Sequence, residues 1–205
     1  LVGTHIDHRG GSVNPIAVKH MWLAAAPRDD DLVLAKNVEA ESFPDEQFRI
    51  SDCLPAGCRI QDWDAWCHDE FEKRRDDPSV TWSNYIRAAV LYLQHLHTNE
   101  DGGFSPAIAG MDMMVYGSVP QAAGLSSSSA VVMLAAEAVV RINELEISRA
   151  NLAQHCGHAE WYVGTRGGYC DHAAIVFGKP NSLLHITAFP MTMEAASLAP
   201  GYSFV

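Results

Sequence analysis

The pattern of apolar and polar positions predicts a mixture of strands and helices. Runs that are rich in apolar and β-branched residues, bounded by turn residues, indicate strands. Strands are predicted within residues 12–26 and at Leu32–Ala35, Phe48–Ile50, Met111–Val119, Ala173–Phe177 and Ser182–Thr187. The short pieces within residues 29–60 are typical of a β-meander.

Helices are predicted where apolar residues recur at intervals of three or four positions. This spacing is present from Trp82 to Leu96 and, after a loop at Pro120–Leu125, from Ser126 to Ile142. A further helix is predicted from Ser148 or Arg149 to about Val163, with Ser148 as its N-cap. Gly164–Gly168 interrupts it. Because strands and helices are interleaved without regular βαβ spacing, we expect an α+β fold.

Composition narrows the classes of partner. Of the 205 residues, 48% are hydrophobic and 19% charged, which is typical of a packed globular protein. The net charge of −11 argues against a general affinity for nucleic acid or for an anionic membrane surface. No apolar run approaches the roughly 20 residues that a membrane span needs. The five cysteines are scattered and unpaired in sequence, which predicts a reducing, cytoplasmic location.

The most informative segment is PQAAGLSSSSA at Pro120–Ala130. Gly124 permits a tight turn and close approach to a ligand, and four hydroxyls follow where a helix begins. Free backbone N–H groups at a helix start form an anion nest suited to a triphosphate, and a hydroxyl suits Mg²⁺. A serine loop that only caps the helix is the alternative, but one cap needs one serine. We therefore predict a nucleotide-binding loop made of Pro120, Ala123, Gly124, Leu125, Ser126, Ser127, Ser128 and Ser129.

This loop resembles the second signature of the GHMP kinases, P-x-x-x-G-L-S-S-S-A, with Ser129 in place of the alanine. The resemblance implies ATP and Mg²⁺ as cofactors, with Ser128 as a ligand of the metal. It also implies the N-terminal domain of a GHMP kinase, which is similar to domain 2 of ribosomal protein S5. We expect that domain at residues 1–180, and the beginning of a C-terminal GHMP domain at 181–205.

Three further segments resemble the galactokinases within this superfamily. They are GTHIDHRGG at Gly3–Gly11, WSNYIR at Trp82–Arg87, and the stretch from Ala159 to Asp171. The resemblance implies a small-molecule sugar as the substrate. It implies that Thr4, His5, Asp7 and Gly168 contact the sugar, that Asp171 is the catalytic carboxylate, and that Glu160 is the second metal ligand. The implied reaction is ATP-dependent phosphorylation of the anomeric hydroxyl of a hexose or hexuronic acid.

Several positions depart from the galactokinase pattern. Thr4 stands where galactokinases carry a glutamate near the sugar's 6-hydroxyl, which leaves room for a substrate carboxylate, as in galacturonate kinases. His8 replaces a tyrosine, and His172 replaces the glutamine after the catalytic aspartate. Asp171 follows Glu160 by 11 positions, one fewer than usual. The sequence therefore leaves the choice between galactose, galacturonate and another C6 variant open.

Two parts of the family pattern are absent from the chain. An arginine in G-R-V-N, expected just before Leu1, is missing, and so is the glycine-rich third signature G-x-G-x-G-G. We therefore expect a fragment that lacks most of a second domain, and we do not expect activity from this chain alone.

Two other functions remain open at this stage. One is a non-catalytic sensor that binds sugar and ATP on the same fold. The other is a metal-binding module, for which the spacings match no standard zinc pattern. Its candidate ligands are Cys53, Cys58, Cys67 and His68, or Cys156, His158, Cys170 and His172. The sequence does not indicate an oligomeric state.

Overall fold

The computed structural model describes residues 10–17, 20–75, 82–119, 124–187, 190–197, 199 and 201. Seven strands and six helices lie in these residues. In chain order they are β1 (Ser12–Val13), β2 (Met21–Pro27), β3 (Leu32–Asn37), β4 (Glu46–Arg49), α1 (Ile50–Cys53), α2 (Trp63–Arg74), α3 (Asn84–Leu96), β5 (Met111–Gly117), α4 (Ser127–Ile142), α5 (Arg149–Ala159), α6 (Cys170–Phe177), β6 (Ser182–Thr187) and β7 (Thr192–Ser197). A 3-10 turn at Glu160–Val163 follows α5 directly.

The larger sheet has four strands in the order β2-β5-β3-β4. Strand β3 pairs in parallel with β5, and the other neighbours are antiparallel. Val33 and Ala35 on β3, and Met111, Met113 and Val115 on β5, alternate with more exposed residues and point into the core. This alternation is what a half-buried strand requires, and it confirms the strands predicted at Leu32–Ala35 and Met111–Val119.

The helices α3, α4 and α5 pack against one another beside this sheet. Helix α3 buries nearly its whole length, and α4 contributes a buried apolar stripe that includes Val132, Met133 and Val139. At the start of α5 the Ser148 hydroxyl accepts a hydrogen bond from the Asn151 N–H group at 3.2 Å. The predictions of these three helices, and of Ser148 as a cap, are confirmed.

Three local predictions differ from the structure. Ala173–Phe177 was expected to be a strand but is the end of α6, because a short apolar run alone does not distinguish a strand from a buried helix. The strand expected at Phe48–Ile50 ends at Arg49, and Ile50 begins α1. The pattern predicts no helix at α2, because only Trp63 and Cys67 of that helix are buried.

The smaller sheet has the order β1-β6-β7, and β6 coincides with the strand predicted at Ser182–Thr187. Strand β6 pairs with β1, Ser12 lying opposite Thr187 and Val13 opposite Ile186. The domain boundary expected at residue 180 thus falls just before a strand that pairs with the N-terminal segment. Among the described residues no helix is both long and apolar enough to cross a membrane.

A cluster of aromatic and histidine side chains joins α2, α3 and α5. The Trp63 indole N–H donates to the His158 carbonyl oxygen at 3.0 Å, and the Tyr92 hydroxyl lies 3.1 Å from His158 Nδ1. The His95 ring stacks on Trp63, with 5.0 Å between centroids. Burial lowers the pKa values of His95, His155 and His158, so that the neutral imidazoles are favoured in the folded state.

We expect the free energy of unfolding to fall as the pH decreases below about 6.5, the ordinary pKa of histidine. The unfolded chain binds protons at these histidines before the folded chain does, so acid favours unfolding. Urea unfolding at pH 7.5 and pH 5.5 measures the difference. His155→Gln should reduce this difference in the free energy of unfolding. His68→Gln, at an exposed position on α2, should leave the difference unchanged. Equal pH dependence in both variants would contradict this explanation.

Candidate active site

The start of α4 has an unusual backbone. Gly124 has φ +69° and Ser126 has φ +55°, both in the left-handed region, and the helix begins at Ser127. The Ser126 side chain makes no capping hydrogen bond. A Cβ atom at Gly124 would meet no described atom within 4 Å, so this side of the turn is open. Since the first N–H groups of a helix have no partner within the helix, the turn presents donors suited to an anion.

The serines of this turn face in different directions. Gly124 and Leu125 are exposed, Ser126, Ser127 and Ser128 are half-buried, and Ser129 is buried at 2% exposure. The three half-buried hydroxyls are accessible to a ligand, but the fourth is turned toward the protein interior. A left-handed non-glycine residue such as Ser126 carries a backbone strain that is often found at binding sites.

Glu160 lies at the end of α5 and reaches the first turn of α4. Its side chain is buried, and its Oε1 atom accepts a hydrogen bond of 2.7 Å from the Ser129 hydroxyl. His172 Nε2, on α6, lies 3.4 Å from the same oxygen. The structure thus brings Glu160 to the predicted loop, but the serine that it contacts is Ser129 rather than Ser128.

The carboxylate of Glu160 also influences side chains around it. The pKa of Tyr85 is raised, chiefly by burial and further by the negative charge of Glu160. Burial raises the pKa of the Cys156 thiol well above its usual range, and Glu160 adds to the effect. Cys156 is therefore an inert, protonated thiol. Tyr85 belongs to the WSNYIR segment at the start of α3, and α3 packs against the 3-10 turn that begins at Glu160.

Asp171 lies in the first turn of α6 and is exposed, and Gly168 lies in the turn before it. Among the described residues the Asp171 carboxylate has no hydrogen-bonding or ion-pairing partner. The turn packs directly on α5, because a Cβ atom at Gly157 would lie 3.2 Å from both the Gly168 carbonyl oxygen and Tyr169 Cβ. Helix α6 packs on α4 and α5.

The hard oxygen donors at this junction suit Mg²⁺. They are the Ser128 hydroxyl and the Glu160 carboxylate, and Mg²⁺ commonly takes one or two such protein ligands beside water and phosphate oxygens. In the described part of the chain, this junction included, no group of three or more His, Cys, Asp or Glu side chains is arranged to hold a metal ion. The two cysteine and histidine sets considered from the sequence do not form such a group.

A surface cavity of about 620 Å³ adjoins Gly167 on the side of α2. Its lining residues are Asp62, Asp64, Ala65, His68, Trp161, Arg166 and Gly167. Arg166 and Asp64 form an ion pair there. Because neither the serine turn nor Glu160 nor Asp171 lines this cavity, it is separate from the junction of α4, α5 and α6.

Five of the predicted site residues lie outside the described residues: Thr4, His5, Asp7, Pro120 and Ala123. Three contacts at this junction were not predicted from the sequence: the close approach at Gly157, the hydrogen bond from Ser129 to Glu160, and His172 beside the same carboxylate. The departure of Ser129 and His172 from the family pattern was the one available signal for those two. The close approach at Gly157 had no signal in the sequence.

Comparison with known proteins defines the class of this fold. Residues 84–179 match the family model of the GHMP kinases N terminal domain. The galactokinase of Lactococcus lactis, solved with galactose, has a TM-score of 0.72 at 21% identity, over 96% of this chain and 44% of that one. The mevalonate kinase of Methanococcus jannaschii has a TM-score of 0.64 at 13% identity, over 95% of this chain and 52% of that one. The D-glycero-D-manno-heptose 1-phosphate kinase of Bacteroides thetaiotaomicron has a TM-score of 0.58 at 12% identity, over 95% of this chain and 53% of that one.

Residues 84–179 therefore belong to the GHMP kinase N-terminal domain family, and the described chain has the α+β fold of such a domain. The chain spans about half the length of these three structures. The superfamily and the fold class predicted from the sequence are confirmed. At these identities the likeness to galactokinase shows the fold alone, and the substrate remains a prediction.

Proposed function

We propose that this chain carries the nucleotide and acceptor site of an ATP-dependent kinase that phosphorylates the anomeric hydroxyl of a hexose or hexuronic acid. The observation that carries the proposal is the serine-rich first turn of α4, which follows two left-handed residues and adjoins buried Glu160. A chain with a net charge of −11 repels ATP on average. It therefore needs a local donor site of this kind.

In this proposal the backbone N–H groups of Gly124–Ser128 bind the β- and γ-phosphates. Ser128 and Glu160 would hold Mg²⁺, which would neutralise charge on the phosphates when it is bound. The hydroxyls of Ser126 and Ser127 donate additional hydrogen bonds to phosphate oxygens. Together these groups position the γ-phosphate, and positioning with charge stabilisation is most of what phosphoryl transfer requires of a protein.

The acceptor is proposed to lie beside α6. Asp171 faces the anomeric hydroxyl, where its carboxylate orients the hydroxyl or accepts its proton. Its exposure and lack of a described partner are compatible with that role. The backbone at Gly168 contacts the sugar, and Thr4, His5 and Asp7 are assigned to its other hydroxyls on the sequence resemblance alone. Thr4, in place of a glutamate, leaves room for a carboxylate at C6.

A panel of acceptors tests this function. The protein, extended at both ends by its flanking sequence, is incubated with MgATP and one of galactose, galacturonate, 6-deoxygalactose or 1-deoxygalactose, and ADP release is measured. We expect release with at least one of the first three sugars. We expect none with 1-deoxygalactose, which matches galactose but lacks the anomeric hydroxyl. Binding of sugar and nucleotide without any sugar-dependent ADP release would contradict the proposal and favour a non-catalytic sensor.

A further inference from the structure

Ser129 and Glu160 form a buried polar contact between α4 and the end of α5. Ser129 is 2% exposed and Glu160 5% exposed, and the distance between the hydroxyl and Oε1 is 2.7 Å. Such a short distance is typical of a strong hydrogen bond to a carboxylate. The two residues are 31 positions apart in the sequence. The contact therefore depends on the packing of α4 against α5.

His172 confines the same carboxylate from a third helix. It is 1% exposed, and its Nε2 atom lies 3.4 Å from Glu160 Oε1. Neither ring nitrogen has an aligned hydrogen-bond partner among the described residues. The imidazole thus limits the space available to Glu160 but makes no directed bond with it. Ser129 is therefore the side chain that provides a well-aligned donor to Oε1.

Both contacts involve residues that differ from the family pattern. Ser129 stands where the GHMP signature of the serine loop has alanine, and His172 stands where the galactokinase pattern has glutamine after the catalytic aspartate. The structure brings these two departures to the same oxygen atom, although they are 43 positions apart (172 − 129). A buried carboxylate without a donor is strongly disfavoured. The serine hydroxyl thus supplies a donor that an alanine at this position would not.

We propose that Ser129 is a positioning residue, whose hydrogen bond to Oε1 holds the Glu160 carboxylate in the orientation from which it binds the divalent cation of the nucleotide. This role rests on the proposed function and differs from that of Ser128, which is assigned to the cation itself. The hydroxyl bonds Oε1, and in this proposal the other carboxylate oxygen is the one that would bind the cation. Groups that orient a metal ligand in this way commonly change metal affinity by about 10–100-fold when they are removed.

The test measures the Mg²⁺ dependence of nucleotide binding by the chain itself. Binding of AMP-PNP, a non-hydrolysable ATP analogue, is titrated by calorimetry at increasing Mg²⁺ concentrations in wild type and in Ser129→Ala. We expect the Mg²⁺ midpoint to rise by about tenfold or more in this variant. The control is Ser148→Ala, which removes the cap of α5 and so lowers stability, but leaves the Glu160 end of that helix untouched. Its midpoint should equal that of wild type.

Metal-free unfolding provides a second measurement. Urea unfolding of wild type, Ser129→Ala, Glu160→Gln and the double variant forms a double-mutant cycle. We expect the effects of the two substitutions on the free energy of unfolding to be non-additive. Additive changes in the free energy of unfolding would overturn the role of Ser129. A Mg²⁺ midpoint in Ser129→Ala that stays within about twofold of wild type would overturn it as well. Absence of Mg²⁺-dependent analogue binding in wild type would instead refute the proposed function, and the role of Ser129 with it.

Discussion

Asp171→Asn is expected to lower the rate of phosphoryl transfer to the sugar by about 10²–10⁴-fold, the usual contribution of a carboxylate that handles the proton of a reacting hydroxyl. Asparagine keeps the size of the side chain and one oxygen acceptor. It has no negative charge with which to attract the proton. Because the affected interaction forms in the transition state, the fall should appear in kcat, and sugar affinity should change little.

Asp69→Asn is the matched control for this variant, since Asp69 is exposed on α2 and belongs to no part of the proposed site. Steady-state kinetics of both variants, in the protein that shows sugar-dependent ADP release, give the comparison. Turnover by Asp171→Asn equal to that of Asp69→Asn would refute the role assigned to Asp171. Urea unfolding of each variant verifies that the folded state persists.

The parts of the fold that could be predicted from sequence are those with a strong local pattern. Helix α3 has apolar residues at helical spacing, and Ser148 precedes α5 as a good N-cap, so both were predicted near their observed bounds. The segment Ala173–Phe177 has no such distinguishing pattern. Its buried residues face α4 and α5, and this tertiary packing determines that it is helical.

The candidate site could be predicted only where one short segment contains it. Gly124–Ser128 was recognised because the left-handed turn and the hydroxyls are contiguous in the chain. The contact between Ser129 and Glu160 joins residues from different helices, and no local pattern indicates which serine of the run faces inward. Ser129 faces inward because of its position around the axis of α4, where it lies on the buried side of the helix and Ser128 lies at the edge of that side.

Ser127→Asp is expected to weaken nucleotide binding by roughly 100-fold or more, because a carboxylate near a triphosphate repels it by a few kcal/mol at an effective dielectric constant of about 20. The same change should not destabilise the helix. An acidic residue in the first turn interacts favourably with the helix dipole, by about 0.3–1 kcal/mol. Loss of binding would therefore not arise from loss of the fold, and urea unfolding verifies this.

The chain contains a control of the same chemistry at another helix. Ser148→Asp places the same carboxylate at the start of α5, where aspartate is as good an N-cap as serine. This position lies at the opposite end of α5 from Glu160. Binding of AMP-PNP by Ser148→Asp should therefore match that of wild type, within about twofold.

Calorimetric titration of wild type, Ser127→Asp and Ser148→Asp with AMP-PNP and Mg²⁺ tests most directly whether the first turn of α4 binds the phosphates of ATP. We predict one bound nucleotide per chain in wild type and Ser148→Asp, and little or no binding in Ser127→Asp. Binding of equal strength in all three proteins, or no binding in wild type, would contradict the proposal that this turn binds the phosphates.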